Sequence, residues 1–158
     1  MRWYAPGVLT EAQGAELAAE VRYREFGEPI IRDVVKQVQN FAPVNLADPS
    51  YARVEERPAG CPWHHDTGTG KGHMGWCKFT AGILLTDPRG FDGGGFYFRD
   101  KGPIHHYLDL SVWDDAPENE HCVTSNSGGR ITLLMFFQGG EVGPTENNDT
   151  VSSKAIAG

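Results

Sequence analysis

The spacing of apolar positions changes once along this chain. Leu17, Ala18 and Val21, with Phe26 beyond them, recur at helical intervals. Thr10-Glu11-Ala12-Gln13 just before them has the form of a capping box, so one amphipathic helix is expected over about residues 11–25. Phe26-Gly27-Glu28-Pro29 ends it. From about residue 51 the apolar runs become short and are separated by turn residues. "YARVEE" (51–56), "GWCKFTAGILLT" (75–86), "FYFRD" (96–100) and "YLDLSVW" (107–113) read as strands, the last alternating Leu108, Leu110 and Val112. "HCVTS" (121–125), "NSGG" (126–129) and "RITLLMFF" (130–137) read as strand, hairpin turn and strand. "DPRGFDGGG" (87–95) is turn chemistry, with close backbone packing as the reason for Gly93-Gly94-Gly95. Strands at this spacing predict an all-β core, a sandwich, jelly roll or barrel, with the N-terminal helix packed outside. Residues 138–158 are polar and rich in Gly, Asn and Ser, and are expected to form a flexible tail.

Composition narrows the function classes. With 158 residues, one domain over residues 1–137 is the simplest reading, and 20 glycines with 10 prolines suit short strands and tight turns. The net charge of -7, from 14 basic and 21 acidic residues without a basic cluster, argues against a nucleic-acid partner. No apolar run approaches the roughly 20 residues that span a bilayer. The N-terminal stretch lacks a secretory pattern, and the odd set Cys61, Cys77 and Cys122 contains no CxxC, so a cytoplasmic protein without disulfides or a thiolate zinc site is expected. Oligomeric state is not legible.

"WHHDTGTGKGH" (63–73) carries the chemistry and has three readings. A phosphate loop fails because Gly70-Lys71 is followed by Gly72, and His65 stands where the motif's first Gly belongs. Asp66-Thr67-Gly68 spells an aspartic-protease triplet, but two histidines precede it and no second carboxylate motif follows. The metal reading is the fertile one. His64 and Asp66, two apart at a strand, point to one side, as two members of a 2-His-1-carboxylate triad for non-heme Fe(II) must. A third ligand then lies later in the chain, where His73, His105, His106 and His121 are available. His121 has the right company: Arg130, nine positions on, can meet a carboxylate near the metal in a two-pronged salt bridge.

Residues 51–137 resemble the Fe(II)/2-oxoglutarate-dependent dioxygenase superfamily, in pattern its prolyl-hydroxylase-like branch. The resemblance rests on "RPAGCPWHHD", "FTAGILLTDPRGFDGGGFYF" and "HCVTSNSGGRITLLMFF", in that order. It implies a double-stranded β-helix (jelly roll), Fe(II) held by His64, Asp66 and His121, 2-oxoglutarate and O2 as cosubstrates, and Arg130 on the distal carboxylate of 2-oxoglutarate. It implies hydroxylation of an aliphatic C–H bond, in a peptidyl residue or in a free amino acid or small metabolite, with succinate and CO2 released. Halogenating relatives lack the carboxylate ligand, so Asp66 points to hydroxylation or a related oxidation. Tyrosines that the branch places near 2-oxoglutarate are missing, and Thr80 is the expected hydroxyl contact instead.

Other residues carry blander expectations. His65 has the wrong parity for a ligand, and His73, His105 and His106 are expected at the surface. Trp63, Trp76 and Trp113 are expected in the core or at the cavity rim. Two other classes stand beside the oxygenase: a cupin-like metalloprotein that does not use 2-oxoglutarate, and a non-enzymatic jelly-roll binding module. Arg130 behind His121 separates the oxygenase from both.

Overall fold

The structure, a computed structural model, describes residues 1–67, 74–104 and 107–138. The expectations for His73, His105, His106 and residues 139–158 lie outside these. The described chain runs β1 (Arg2–Ala5), α1 (Glu11–Ala18), β2 (Tyr23–Arg24), α2 (Pro29–Phe41), β3 (Tyr51–Glu56), β4 (Cys61–His64), β5 (Phe79–Leu84), β6 (Phe96–Phe98), β7 (Lys101–Ile104), β8 (Leu110–Asp114), β9 (His121–Val123) and β10 (Ile131–Phe137). Two antiparallel sheets result, a six-stranded one ordered β1-β8-β5-β10-β3-β2 and a four-stranded one ordered β4-β9-β6-β7. From β3 to β10 the chain shuttles between them, which is the jelly-roll connection.

The N-terminal helix is shorter than its periodicity predicts. Thr10 Oγ1 accepts from the Gln13 amide (3.1 Å) and Gln13 Oε1 accepts from the Thr10 amide (2.9 Å), so the capping box forms. The helix stops at Ala18, because Tyr23 and Arg24 pair with Arg53 and Ala52 of β3 instead. Arg24 secures the break: it donates to the Leu17 carbonyl (3.0 Å) and pairs with Glu28 (2.6 Å). Pairing with the sheet overrides local helical preference. A second helix, α2, was not anticipated. Its signal is present: Pro29 at the first turn, then Ile31, Val34, Val35 and Val38 on one buried face.

The large sheet has two different faces. On the outer face Ala52, Val54, Ala81, Ile83, Leu110, Val112, Leu133 and Met135 pack with the α2 stripe and Leu17 into one buried cluster. This is the main core, and it lies under the helices rather than between the sheets. Leu133 is fully buried between Val54 and Ile83 of its neighbouring strands. Leu133→Ala is expected to lower the unfolding free energy by about 3 kcal/mol, read as a lower urea midpoint at unchanged slope; a loss below about 1 kcal/mol would contradict this account of the core. The inner face, including Arg53, Thr80, Ser111, Trp113, Thr132 and Leu134, looks across a cavity of about 770 Å³ toward the small sheet.

The predicted hairpin of β9 with β10 does not form. β9 pairs with β4 and β6, while β10 pairs with β3 and β5 in the other sheet. The link between them is tied elsewhere: Asn126 N donates to Pro58 O (2.8 Å) and Gly94 N to Ser125 O (3.0 Å). Gly128 and Gly129, both at positive φ (99° and 93°), then turn the chain into the opposite sheet. His121 and Arg130 still serve one interior, because the two sheets face each other.

Candidate metal centre

Strand pairing brings the two histidines together. β4 and β9 are antiparallel neighbours, and His64 lies directly opposite His121, with ring centroids 4.4 Å apart. Asp66 follows two residues after His64, where β4 has ended, and folds back beneath both rings. One ligand atom from each of His64, Asp66 and His121 falls within 4.8 Å of the others, as a single metal ion requires. His121 is buried and ringed by Phe96, Phe98 and Trp113 at 5.2–5.8 Å between centroids. His65, beside the triad in the cavity wall, has its Nε2 3.2 Å from Pro117 O.

Backbone carbonyls set the tautomer of both imidazoles. His64 Nδ1 is 2.7 Å from Pro62 O, and His121 Nδ1 is 2.7 Å from Asn119 O. A carbonyl only accepts, so each Nδ1 carries the proton and each Nε2 offers a lone pair. Both Nε2 atoms face the same atom, Asp66 Oδ1, at 3.5 Å and 3.3 Å. The other carboxylate oxygen is held from behind: Thr80 Oγ1 and Trp113 Nε1 each donate to Asp66 Oδ2 at 2.8 Å. Three lone pairs thus converge in a preset orientation, the donor set of a hard-to-intermediate divalent cation.

Thr80, expected to touch the cosubstrate, spends its hydroxyl proton on Asp66 instead. Trp113, expected only as core or rim, is a ligand-orienting residue. Asn119 was not anticipated at all; buried, it donates to Asp114 Oδ1 (2.7 Å) and accepts from Arg2 Nε (2.6 Å), which fixes the carbonyl that orients His121. Nothing in sequence spacing marks these contacts, since they join β1, β5 and β8 to β4 and β9 across the fold. Thr80→Val and Trp113→Phe are each expected to weaken Co(II) or Fe(II) binding by roughly 10–100-fold with the fold intact. Unchanged metal affinity in both would show that Asp66 is positioned by other means.

Charge coupling within the metal-free triad is strong. Burial by itself raises the Asp66 pKa, but the His121 and His64 imidazoles and the Thr80 hydroxyl outweigh it and hold the carboxyl well below the usual range. Asp66 in turn raises His64 above its ordinary 6.5. A raised folded-state pKa stabilises below the unfolded value and loses that stabilisation as pH rises through the folded one. Chelator-treated protein is therefore expected to show a melting-temperature advantage over His64→Gln that shrinks from pH 6 to pH 9; a constant difference would refute the coupling.

Arg130 lies in the same cavity, just before β10. Its Nε donates to Gly94 O at 2.9 Å, and among the described residues its guanidinium makes no other hydrogen bond. Gly94 has φ +72°, and a Cβ there would come within 2.6 Å of Arg130 Cδ. The glycine turn is thus the seat of this arginine, as well as a close backbone contact at Gly93 with Ser125 O. Burial lowers the Arg130 pKa from its ordinary value, and the Glu55 carboxylate offsets this only in part. Ser111 Oγ, also facing the cavity, is buried without a partner among the described residues.

Solved structures share this architecture. A viral collagen prolyl hydroxylase from Paramecium Bursaria Chlorella virus-1, in its 2OG complex, matches with a TM-score of 0.66 at 16% identity over 87% of this chain and 94% of its own. The fold is that of a 2OG-Fe(II) oxygenase. A truncated form of the viral enzyme matches at 0.63 and 16% identity, covering 87% of this chain and 89% of its own. A 2OG-Fe(II) oxygenase family oxidoreductase from Burkholderia pseudomallei matches at 0.57 and 13% identity, covering 87% and 84%. No protein-family model and no curated protein sequence matches the chain. In this chain β4, β9 and the residue before β10 surround one cavity, and His64, Asp66, His121 and Arg130 line it. No helix among the described residues is long and apolar enough to cross a membrane.

Proposed function

We propose that this protein is an Fe(II)- and 2-oxoglutarate-dependent oxygenase that hydroxylates an aliphatic C–H bond. The observation that carries the reading is the pairing of a tautomer-locked His64–Asp66–His121 triad with a buried Arg130, hydrogen-bonded only to Gly94 O among the described residues, in one cavity. His64, Asp66 and His121 would hold the iron by one face, and Arg130 would take the distal carboxylate of 2-oxoglutarate. Bound there, iron supplies the activation of O2: 2-oxoglutarate loses CO2 to become succinate with one oxygen atom, and the substrate C–H gains the other as hydroxyl.

The chain's own residues do the positioning. Thr80 and Trp113 keep Asp66 Oδ1 forward, the Pro62 and Asn119 carbonyls hold the Nδ1 side of each imidazole so that Nε2 is the atom turned to the metal, and Phe96, Phe98 and Trp113 keep water from the His121 side. The prolyl-hydroxylase-like neighbours support a peptidyl residue as substrate, and a free amino acid or small metabolite fits the same machinery.

The test is anaerobic addition of Fe(II) and then 2-oxoglutarate, followed in the visible spectrum. A weak charge-transfer band supports the reading and opens a screen for succinate release. Iron binding without the band would favour a cupin-like metalloprotein, and no metal binding would leave a binding module.

A further inference from the structure

One row of charges in the cavity is left unused by the oxygenase chemistry. Arg53, Glu55 and Arg57 alternate along β3 and just past its end, so all three side chains face the cavity that holds the triad. Their cross-strand neighbours on β10 are not charged: Arg53 lies opposite Leu134 and Glu55 opposite Thr132. Beyond β3 the sheet continues only as the two-residue β2, so this row lines an open flank. Side-chain exposure grades from 23% at Arg53 and 20% at Glu55 to 51% at Arg57, from the interior to the mouth.

The row is not a closed set of ion pairs. Glu55 stands between the two arginines, 2.8 Å from Arg53 Nε and 3.2 Å from Arg57 Nε. The Arg53 approach lacks hydrogen-bond geometry, and its buried Nε is left without a hydrogen-bond partner. The Arg53 guanidinium rests 5.2 Å from the Phe136 ring centre and 5.9 Å from that of Tyr51, which fixes the plane of its fork. Of the other charges lining the cavity, Glu120 is held by Arg99 at 2.8 Å, Asp66 belongs to the triad, and Arg130 serves the cosubstrate in the reading above. What remains is two guanidiniums against one carboxylate, an excess positive charge inside a protein whose net charge is -7.

The position suits a substrate. Phe136, under the Arg53 fork, is paired across β10 with Thr80, the residue that holds Asp66. Two strand spacings and one residue pair therefore separate the backbones of Arg53 and Thr80, roughly 12 Å. From this row we infer that the oxygenase acts on a carboxylate-bearing substrate, whose carboxylate is taken by Arg53, with Arg57 at the entrance, while its carbon chain crosses Phe136 toward the triad. Glu55 keeps the arginines in place and, beside them, offers an acceptor for an ammonium group of the same molecule. Arg53 is thereby a specificity-determining residue. The inference rests on the oxygenase reading for the direction of the chain, but not for the binding of the carboxylate.

Two measurements test it separately from that reading. The first is saturation-transfer NMR on metal-free protein with matched acid and amide pairs: free amino acids against their amides, and short peptides ending in a carboxylate or an amide. Acids are expected to bind at least about tenfold more tightly than their amides, and Arg53→Gln to reduce the preference below about twofold. Glu55→Gln should move the other way and strengthen acid binding, which guards against reading a misfolded Arg53 variant as support. The free and peptide arms show which source supplies the carboxylate. Equal binding of acids and amides, or a preference that survives in Arg53→Gln, overturns the proposal. The second is 2-oxoglutarate titration of the Fe(II) protein. Arg53→Gln should leave its affinity within about twofold of the original; its loss would mean Arg53 holds the cosubstrate and would equally overturn the proposal. Failure of the unmodified protein to bind 2-oxoglutarate would instead sink the oxygenase reading, and acid selectivity could still stand.

Discussion

Asp66→Ala is expected to remove measurable Fe(II) binding, with the apparent affinity falling by more than roughly 100-fold. Loss of a residue that merely orients a ligand costs about 10–100-fold, and Asp66 is itself the atom on which both imidazoles converge, at 3.5 Å from His64 and 3.3 Å from His121. The substitution also strands two donors, Thr80 Oγ1 and Trp113 Nε1, now 2.8 Å from Asp66 Oδ2. Each stranded donor costs about 1–3 kcal/mol, so a folding control is needed. Asp66→Asn retains an acceptor for those donors while removing the charge that holds the cation. Metal titration by calorimetry, beside a melting curve, separates the two effects. Retention of Fe(II) binding by Asp66→Asn and Asp66→Ala alike would place the metal elsewhere.

Arg130→Ala is expected to leave metal binding unchanged and to weaken 2-oxoglutarate binding by about 30-fold to several thousandfold. Removing one partner of a desolvated charge pair costs about 2–5 kcal/mol, and each 1.4 kcal/mol is a factor of ten. The guanidinium has one internal hydrogen bond, to Gly94 O, so its terminal nitrogens have nothing else to serve among the described residues. Arg130→Lys keeps the charge and loses the planar fork, and falls between the two. The visible charge-transfer titration reads the 2-oxoglutarate affinity, and calorimetry reads that of the metal. A 2-oxoglutarate affinity that survives in Arg130→Ala would remove the clamp from the reading.

Much of the architecture was legible because burial on one face leaves a period-two trace. "YARVEE" became β3 with the predicted bounds, since Ala52 and Val54 face the helices while Arg53 and Glu55 face the cavity. The alternation of Leu110 and Val112 likewise marks β8, which starts only at Leu110 because Leu108 stands at φ 63° outside the strand. Short elements escaped for a physical reason. β1, β2 and β7 have two to four residues each, too few for a pattern, and their pairing partners supply the order. The helix over residues 11–25 was overextended because periodicity cannot register that Tyr23 and Arg24 are claimed by β3. Helix α2 carries a clear apolar stripe, Ile31, Val34, Val35 and Val38, so its signal is present in the sequence.

Residue identity and order determined the candidate chemistry. Two imidazoles and a carboxylate are the donors a divalent cation needs, His64 and Asp66 are two apart, and Arg130 follows His121 by nine. Those facts are one-dimensional and survive any folding detail. Tertiary structure alone decided how the donors are aimed. The Nδ1 protons are fixed by the Pro62 and Asn119 carbonyls, and Asp66 Oδ2 by groups on β5 and β8. It also decided that His121 and Arg130 face one cavity from opposite sheets rather than across a hairpin, and that Gly94 seats the arginine. Hydrogen bonds and charge coupling act over a few ångströms, so they depend on which strands become neighbours. Chain order specifies the groups that can do chemistry, and strand pairing specifies the direction in which each lone pair points.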